Sequence, residues 1–437
     1  MRLMHLGWFE RRVRRHPAIL SLWCVVAAFG TYACMYGFRK PFTAGVYDHD
    51  PFEPGFKSLL VLSQVLGYTL SKWFGIGIVA AMPPARRAPL FFQLVLGAEI
   101  AWVLFGLVPP SLGLIFLFLN GLLLGLGFGL VLGFLEGRRL TEAFVAGLCA
   151  SFILADGVTK SVGASLLTAG VPERWMPAVS GLVFLGPIAG FLWMLRQIPG
   201  PTSGDVAERA ERLPLDRPGR RAFVSHHLPA LVLIVAAYLL VTVLRSVRAD
   251  FAPELWAELG VRPQASLFAR SEVWVALGVL TINGLACTIR DNRRALAWAF
   301  GISLLGLVIV AAAFGMQRSG QIGAFSFMVC LGLGLYLPYV AVHTTLFERM
   351  VALSPRPGNV GHLMYLADTA GYLGYLAVMI GSWIEPSPAD LLARVRPLGL
   401  FSAGAGFLCL LAAALWLFSH ATARQKVAGS PDLGLRV

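Results

Sequence analysis

The stretch Tyr36-Gly37-Phe38-Arg39-Lys40-Pro41-Phe42 closes an apolar run that begins near Pro17. That run is long enough to cross a bilayer as a helix, so Arg39 falls at or inside the end of a membrane span. A charge at the bilayer centre costs about 2.5–3.5 kcal/mol on insertion scales, and such a residue is expected to face protein or water rather than lipid. In the second half of the chain, Tyr238-Leu239-Leu240-Val241-Thr242-Val243-Leu244-Arg245 again ends an apolar run in arginine. Tyr238 precedes Arg245 by the same seven residues that separate Tyr32 from Arg39.

Composition sets the class. The 437 residues are 57 % hydrophobic and 14 % charged, against about 25 % charged in soluble domains. Apolar runs of membrane length recur along the whole chain, which predicts a polytopic membrane protein. The net charge of +13 does not read as a nucleic-acid footprint. With the N-terminus inside, most Lys and Arg fall in the two tails and in alternate loops, the positive-inside pattern. The reading is therefore a multi-pass protein of a bacterial inner (plasma) membrane, with cytoplasmic N- and C-termini and no nucleic-acid partner. Arg11, Arg12, Arg14 and Arg15 precede the first span as in a signal peptide, but the apolar run is too long for one.

The apolar runs predict an all-α membrane protein with twelve transmembrane helices in two six-helix repeats. The first six lie near 17–38, 57–80, 90–108, 111–134, 142–168 and 177–195. The second six lie near 228–248, 266–288, 295–314, 321–346, 359–384 and 398–419. Residues 1–195 form the N-terminal half, 196–227 a Pro/Gly-rich cytoplasmic linker, 228–419 the C-terminal half and 420–437 a polar cytoplasmic tail. The outer loop after the first span carries Asp48, Asp50 and Glu53. A second internal match supports the repeat: Glu136 precedes Asp156 by 20 residues, as Glu348 precedes Asp368, and both aspartates end a Leu-Ala-Asp triplet. Repeats of this kind place a site at the interface between the halves. Gly121, Gly125, Gly129 and Gly133, four apart in the fourth span, predict close helix packing rather than a nucleotide loop.

Charges deep in the spans mark the candidate site. Arg39, Lys72, Lys160 and Arg245 are basic, whereas Asp156 and Asp368 are acidic, a net of +2 that complements a dianion. Arginine suits bidentate binding of phosphate and stays protonated. Tyr36, Gln64 and Tyr68 share helix faces with the basic residues and join them as substrate-binding candidates. Asp156 and Asp368 are assigned charge balance or proton coupling. Tyr32, Tyr238, Tyr365 and Tyr372 are expected to line the pocket. Asp156 and Lys160, four apart on one face, also fit a self-neutralising pair, and Lys72 also fits a partner on a facing helix. Glu99 and His343 read as packing or loop-contact residues. The six cysteines (Cys24, Cys34, Cys149, Cys287, Cys330, Cys409) fall inside spans without metal-ligand spacing. The expectation is thus no metal, no cofactor, no catalytic residue and no enzyme.

This architecture resembles the major facilitator superfamily. Within it, several residues are similar to the organophosphate:phosphate antiporter branch. Arg39-Lys40 matches an Arg-Lys at the end of helix 1, and Gly67-Tyr68-Thr69-Leu70-Ser71-Lys72 loosely matches Gly-x-x-Ser-Lys. Arg245 followed by Asp250-Phe251-Ala252-Pro253 matches a stretch at helix 7. The resemblance implies that Arg39 and Arg245 clamp a substrate phosphate. The chain departs from the superfamily after Gly77, where Ala81 and Met82 stand in place of an aspartate. It departs again in helix 5, where Asp156 and Lys160 occupy the helix that carries a histidine in the glycerol-phosphate type.

The expected function is a secondary active transporter, working as a monomer by alternating access. Its cargo is a small organic anion, phosphate or a phosphorylated metabolite, and its surroundings the lipid bilayer. Two alternatives stand beside it: a proton-coupled transporter of a non-phosphorylated solute using Asp156 and Asp368, and a transporter-fold ligand sensor without flux.

Overall fold

A computed structural model describes residues 16–47, 55–80, 82–135, 141–200, 217–262, 264–356, 358, 360–384 and 391–428. Arg11–Arg15, the acids Asp48, Asp50 and Glu53, Glu136 of the second repeat match, most of the linker (201–216) and the tail beyond 428 lie outside the described residues.

The described chain is helical. The leading helices are α1 (Pro17–Arg39), α2 (Phe56–Ala80), α3 (Pro84–Leu107), α4 (Pro110–Leu124), α5 (Gly127–Leu135), α6 (Thr141–Thr168) and α7 (Met176–Arg196). The trailing helices are α8 (Arg217–Asp250), α9 (Ala252–Glu258), α10 (Ala265–Gly284), α11 (Asn292–Arg318), α12 (Ala324–Ala341), α13 (Phe347–Leu353), α14 (Val360–Ile384) and α15 (Leu391–Ala428). A π-helical turn, Val342–Leu346, joins α12 to α13. Ten described helical segments are long and apolar enough to cross a membrane. Helices α2 and α6, 25 and 28 residues long, are also of membrane length and carry the buried charges described below.

Local chemistry sets the ends. Proline stands at the first or second position of α1, α3, α4, α7 and α9, where its missing N–H would have had no helical partner anyway. The Asp291 side chain caps α11 by accepting from the Arg294 amide at 2.7 Å. Gly170, Gly260 and Gly320 take positive φ just past α6, α9 and α11. At each, two backbone N–H groups turn back to the last carbonyls, a termination that favours glycine.

The boundaries differ most from the sequence reading at three places. The fourth predicted span breaks at Gly125-Leu126 into α4 and α5. The seventh begins at Arg217 rather than 228, so the end of the expected linker is helix. The last runs to Ala428, because polar residues beyond the membrane continue a helix without penalty.

Helices α2 and α4 pack tightly, as the glycine series predicts: a Cβ on Gly121 would stand 2.0 Å from the Gln64 carbonyl oxygen, and one on Gly67 would stand 2.1 Å from that of Phe118. Leading and trailing helices meet chiefly where α6 packs on α10 and α2 on α14. Leu22, Trp73, Leu107, Leu182, Phe401 and Leu408 are exposed; such apolar faces fit lipid and would be a liability in water.

Candidate functional site

The site lies between leading helices α1, α2 and α6 and trailing helices α8, α12 and α14. Two small cavities adjoin there, sharing Tyr36, Phe152, Arg245 and Tyr372 as walls. Each has room for little more than water. Seven tyrosines line them (Tyr32, Tyr36, Tyr68, Tyr336, Tyr339, Tyr372, Tyr375).

Seven Lys and Arg side chains are buried among the described residues: Arg39, Lys40, Lys57, Lys72, Lys160, Arg245 and Arg248. Five of these have a carboxylate partner. Lys40 pairs with Asp250, Lys72 with Asp368 and Lys160 with Asp156. Lys57 pairs with Glu254 at 2.5 Å and Arg248 with Glu272 at 2.8 Å. Pairing is what a low-dielectric interior demands of a charge.

Arg39 and Arg245 are the two left over. Arg39 lies with its guanidinium carbon 3.7 Å from the ring centre of Tyr68 and 5.6 Å from that of Tyr36. Arg245 stands 4.4 Å from the Tyr339 ring and 5.8 Å from that of Tyr336. Ring faces partly compensate a buried cation and leave its N–H fork free. The Nε of each arginine is buried without a hydrogen-bond partner, and both arginines line the same cavity. Arg245 has one weak contact, to the Ser246 hydroxyl at 3.5 Å.

The remaining expected residues divide. Tyr36 and Tyr68, substrate-binding candidates, and Tyr32 and Tyr372, pocket-lining candidates, are among the residues that line the cavities. Tyr238 reaches the site through its hydroxyl, which donates to Asp368 at 2.5 Å. Gln64 departs from the substrate-binding expectation: its amide donates to the Arg39 carbonyl at 2.7 Å and to Asn120 at 2.9 Å, which fixes the end of α1. Tyr365 is half-buried and outside the lining of both cavities. Lys72 and Lys160, expected to add positive field, are each neutralised by an aspartate. The two repeated aspartates thus both hold a lysine, Asp156 from its own helix and Asp368 from α2.

Sequence reasoning missed several partners. Tyr375 donates to Asp250 at 2.9 Å, completing the Lys40 pair. His343, read as a packing or loop-contact residue, brings Nε2 to 3.3 Å from Asp368. Lys40 lies inside the first quoted repeat stretch and Asp250 five residues beyond the end of the second, yet nothing in one sequence joins residues 210 apart. Among the described residues, no three His, Cys, Asp or Glu side chains gather at metal-binding distance.

The fold is that of the major facilitator transporters. A D-xylose-proton symporter superposes with a TM-score of 0.57 at 19 % identity, covering 90 % of this chain and 96 % of the other. A point mutant of the nucleoside transporter NupG gives 0.58 at 13 % identity, covering 91 % and 100 %. The POT-family transporter PepTSo gives 0.59 at 14 %, covering 93 % and 99 %. These likenesses carry the fold and no substrate. By sequence, the chain belongs to DUF5690, a family of unknown function, which it matches over residues 41–420. No curated protein matches it.

Proposed function

We propose that this protein is a secondary active transporter for a small organic anion of the phosphate-ester class. One observation carries the reading: Arg39 and Arg245 are buried and unpaired, and they face one cavity between the leading and trailing helices. Every other buried lysine and arginine among the described residues has a carboxylate. The two guanidinium groups therefore leave the net +2 of the deep charges concentrated on a pair of planar forks, the geometry that bidentate phosphate recognition uses. The resemblance of Arg39-Lys40 and of the Arg245 stretch to the organophosphate:phosphate antiporter branch supports the same ligand class.

In this proposal residues 1–195 and 228–419 rock about the cavity across the linker 196–227. The chain sits in a bacterial inner membrane with both termini cytoplasmic, which puts the Lys40 end of α1 at the outer face. The ion pairs Lys40–Asp250 and Lys57–Glu254 hold that face shut in the conformation described. The test is counterflow of radiolabelled glucose 6-phosphate into proteoliposomes preloaded with unlabelled ester. Uptake above empty liposomes that is lost in Arg39→Gln and Arg245→Gln supports the reading; wild-type flux in both variants ends it.

A further inference from the structure

His343 occupies the π-helical turn between α12 and α13, and π turns of this kind recur at functional positions. Its Nδ1 lies 3.0 Å from the Tyr339 carbonyl oxygen. A carbonyl only accepts, so Nδ1 carries a hydrogen and the neutral ring presents a lone pair at Nε2. That lone pair faces another acceptor, Oδ1 of Asp368, at 3.3 Å. Two acceptors meet across a gap that a proton would turn into a hydrogen bond. The Tyr238 hydroxyl, 3.5 Å from Nε2, is committed to the same Asp368 oxygen at 2.5 Å.

We propose that His343 and Asp368 form the binding site of a coupling proton, taken up at Nε2 and linked to anion occupancy of the Arg39–Arg245 cavity. The step is a simple protonation. The Nε2 lone pair takes a proton from a hydronium ion, which leaves as water, the imidazole becomes imidazolium, and the new N–H donates to Asp368, which stays ionised between it, Lys72 and Tyr238. The cluster goes from neutral to +1, beside a cavity that the arginines already make +2. Extra positive charge favours an anion, and by reciprocity a bound anion favours the proton.

The groups around His343 give this linkage a short path. From α8 come Tyr238 and Arg245, and from α14 come Asp368 and Tyr372. Helix α2 contributes Lys72 and Tyr68, and α1 contributes Tyr32 and Tyr36. Helix α6, which packs on the π turn, brings Cys149 within the field of Asp368. Helix α11 also packs there, with its arginines at its ends. Tyr339 touches both functions: His343 stacks on it at 4.8 Å, and Arg245 lies over it at 4.4 Å.

For its anion this inference rests on the transporter reading; for the proton it does not. The test is nuclear magnetic resonance of the full-length protein in nanodiscs with 15N-imidazole-labelled histidine. The His343 signal is identified by its loss in His343→Gln. Acidification is expected to convert the Nδ1–H neutral form to imidazolium, and at constant pH glucose 6-phosphate should raise the imidazolium share. Tyr238→Phe, which frees Asp368 for His343, should move the transition to higher pH. Glucose 6-phosphate affinity should rise at least about fivefold from pH 8 to pH 6, a modest coupling. His343→Gln should lose that rise, which controls for titration of the ester itself. A ring that stays neutral down to pH 5 overturns the proton site. Titration that is the same with and without bound ester overturns the linkage. Titration in a protein that binds no ester supports the proton site and instead removes the anion reading.

Discussion

Lys72 of α2 and Asp368 of α14 form a buried ion pair that joins the leading helices to the trailing ones, and Tyr238 closes the same carboxylate at 2.5 Å. Removing one partner strands a charge in a low-dielectric interior, at a cost of about 3–5 kcal/mol. Lys72→Met and Asp368→Leu should each lower the melting temperature of the purified protein sharply. The double variant, which strands no charge and leaves only the Tyr238 hydroxyl without its acceptor, should regain most of the loss. Additive losses would show that the two residues do not act as a pair.

Arg39 and Arg245 carry no such partner, so replacing either should cost function more than fold. A hydrogen bond to a charged group is worth about 1.5–3 kcal/mol. Arg39→Gln or Arg245→Gln should therefore weaken glucose 6-phosphate binding about 10–100-fold, with a melting temperature within a few degrees of wild type. Lysine restores the charge without the fork and should recover only part of the affinity. Calorimetric titration of the four variants checks this, with an organic cation as the control ligand that no variant should affect.

Why the sequence carried one part of this site and not the other is a matter of distance along the chain. Arg39 and Arg245 were legible because a charge closing an apolar run is costly wherever the chain folds, and because the run occurs twice. Asp156 with Lys160 was legible because four residues is one helical turn. The Gly121 series announced a close packing face by its spacing alone. The pairing of Lys40 with Asp250, of Lys72 with Asp368 in particular, and the turn that aims His343 at Asp368 depend on which helices become neighbours. The bond that Gln64 makes was hidden for the same reason: the same face of α2 that holds Tyr68 and Lys72 also meets the end of α1, and the amide is used there.

The α2–α4 contact has no slack. A Cβ at Gly121 would fall 2.0 Å from the Gln64 carbonyl oxygen and 3.0 Å from the Tyr68 nitrogen, both backbone atoms. Overpacking of this kind costs about 1–3 kcal/mol, and moving α2 would also displace Tyr68 from Arg39. Gly121→Val should lower both the melting temperature and glucose 6-phosphate affinity. Gly190→Ala, at a position with open space around it, should change neither. Equal behaviour of the two variants would show that the approach of α2 to α4 is not limiting.

At the opposite end of α1 from its first residue, Lys40 and Lys57 reach the carboxylates of Asp250 and Glu254 on the trailing helices, and Tyr375 donates to Asp250 at 2.9 Å. Under the proposed alternating-access cycle these bonds must break when this end of the cavity opens. Asp250→Asn keeps the shape and one acceptor while removing the charge, so it should shift the balance towards the open face. Ser246 lines the cavity just below and serves as the reporter once replaced by cysteine in a background without the native cysteines. Adding Asp250→Asn to Ser246→Cys should speed its labelling by a membrane-impermeant maleimide at least about fivefold, the effect of ~1 kcal/mol on a two-state balance. The same rate with and without Asp250→Asn, in proteins of equal melting temperature, would show that the Lys40–Asp250 pair does not gate the cavity.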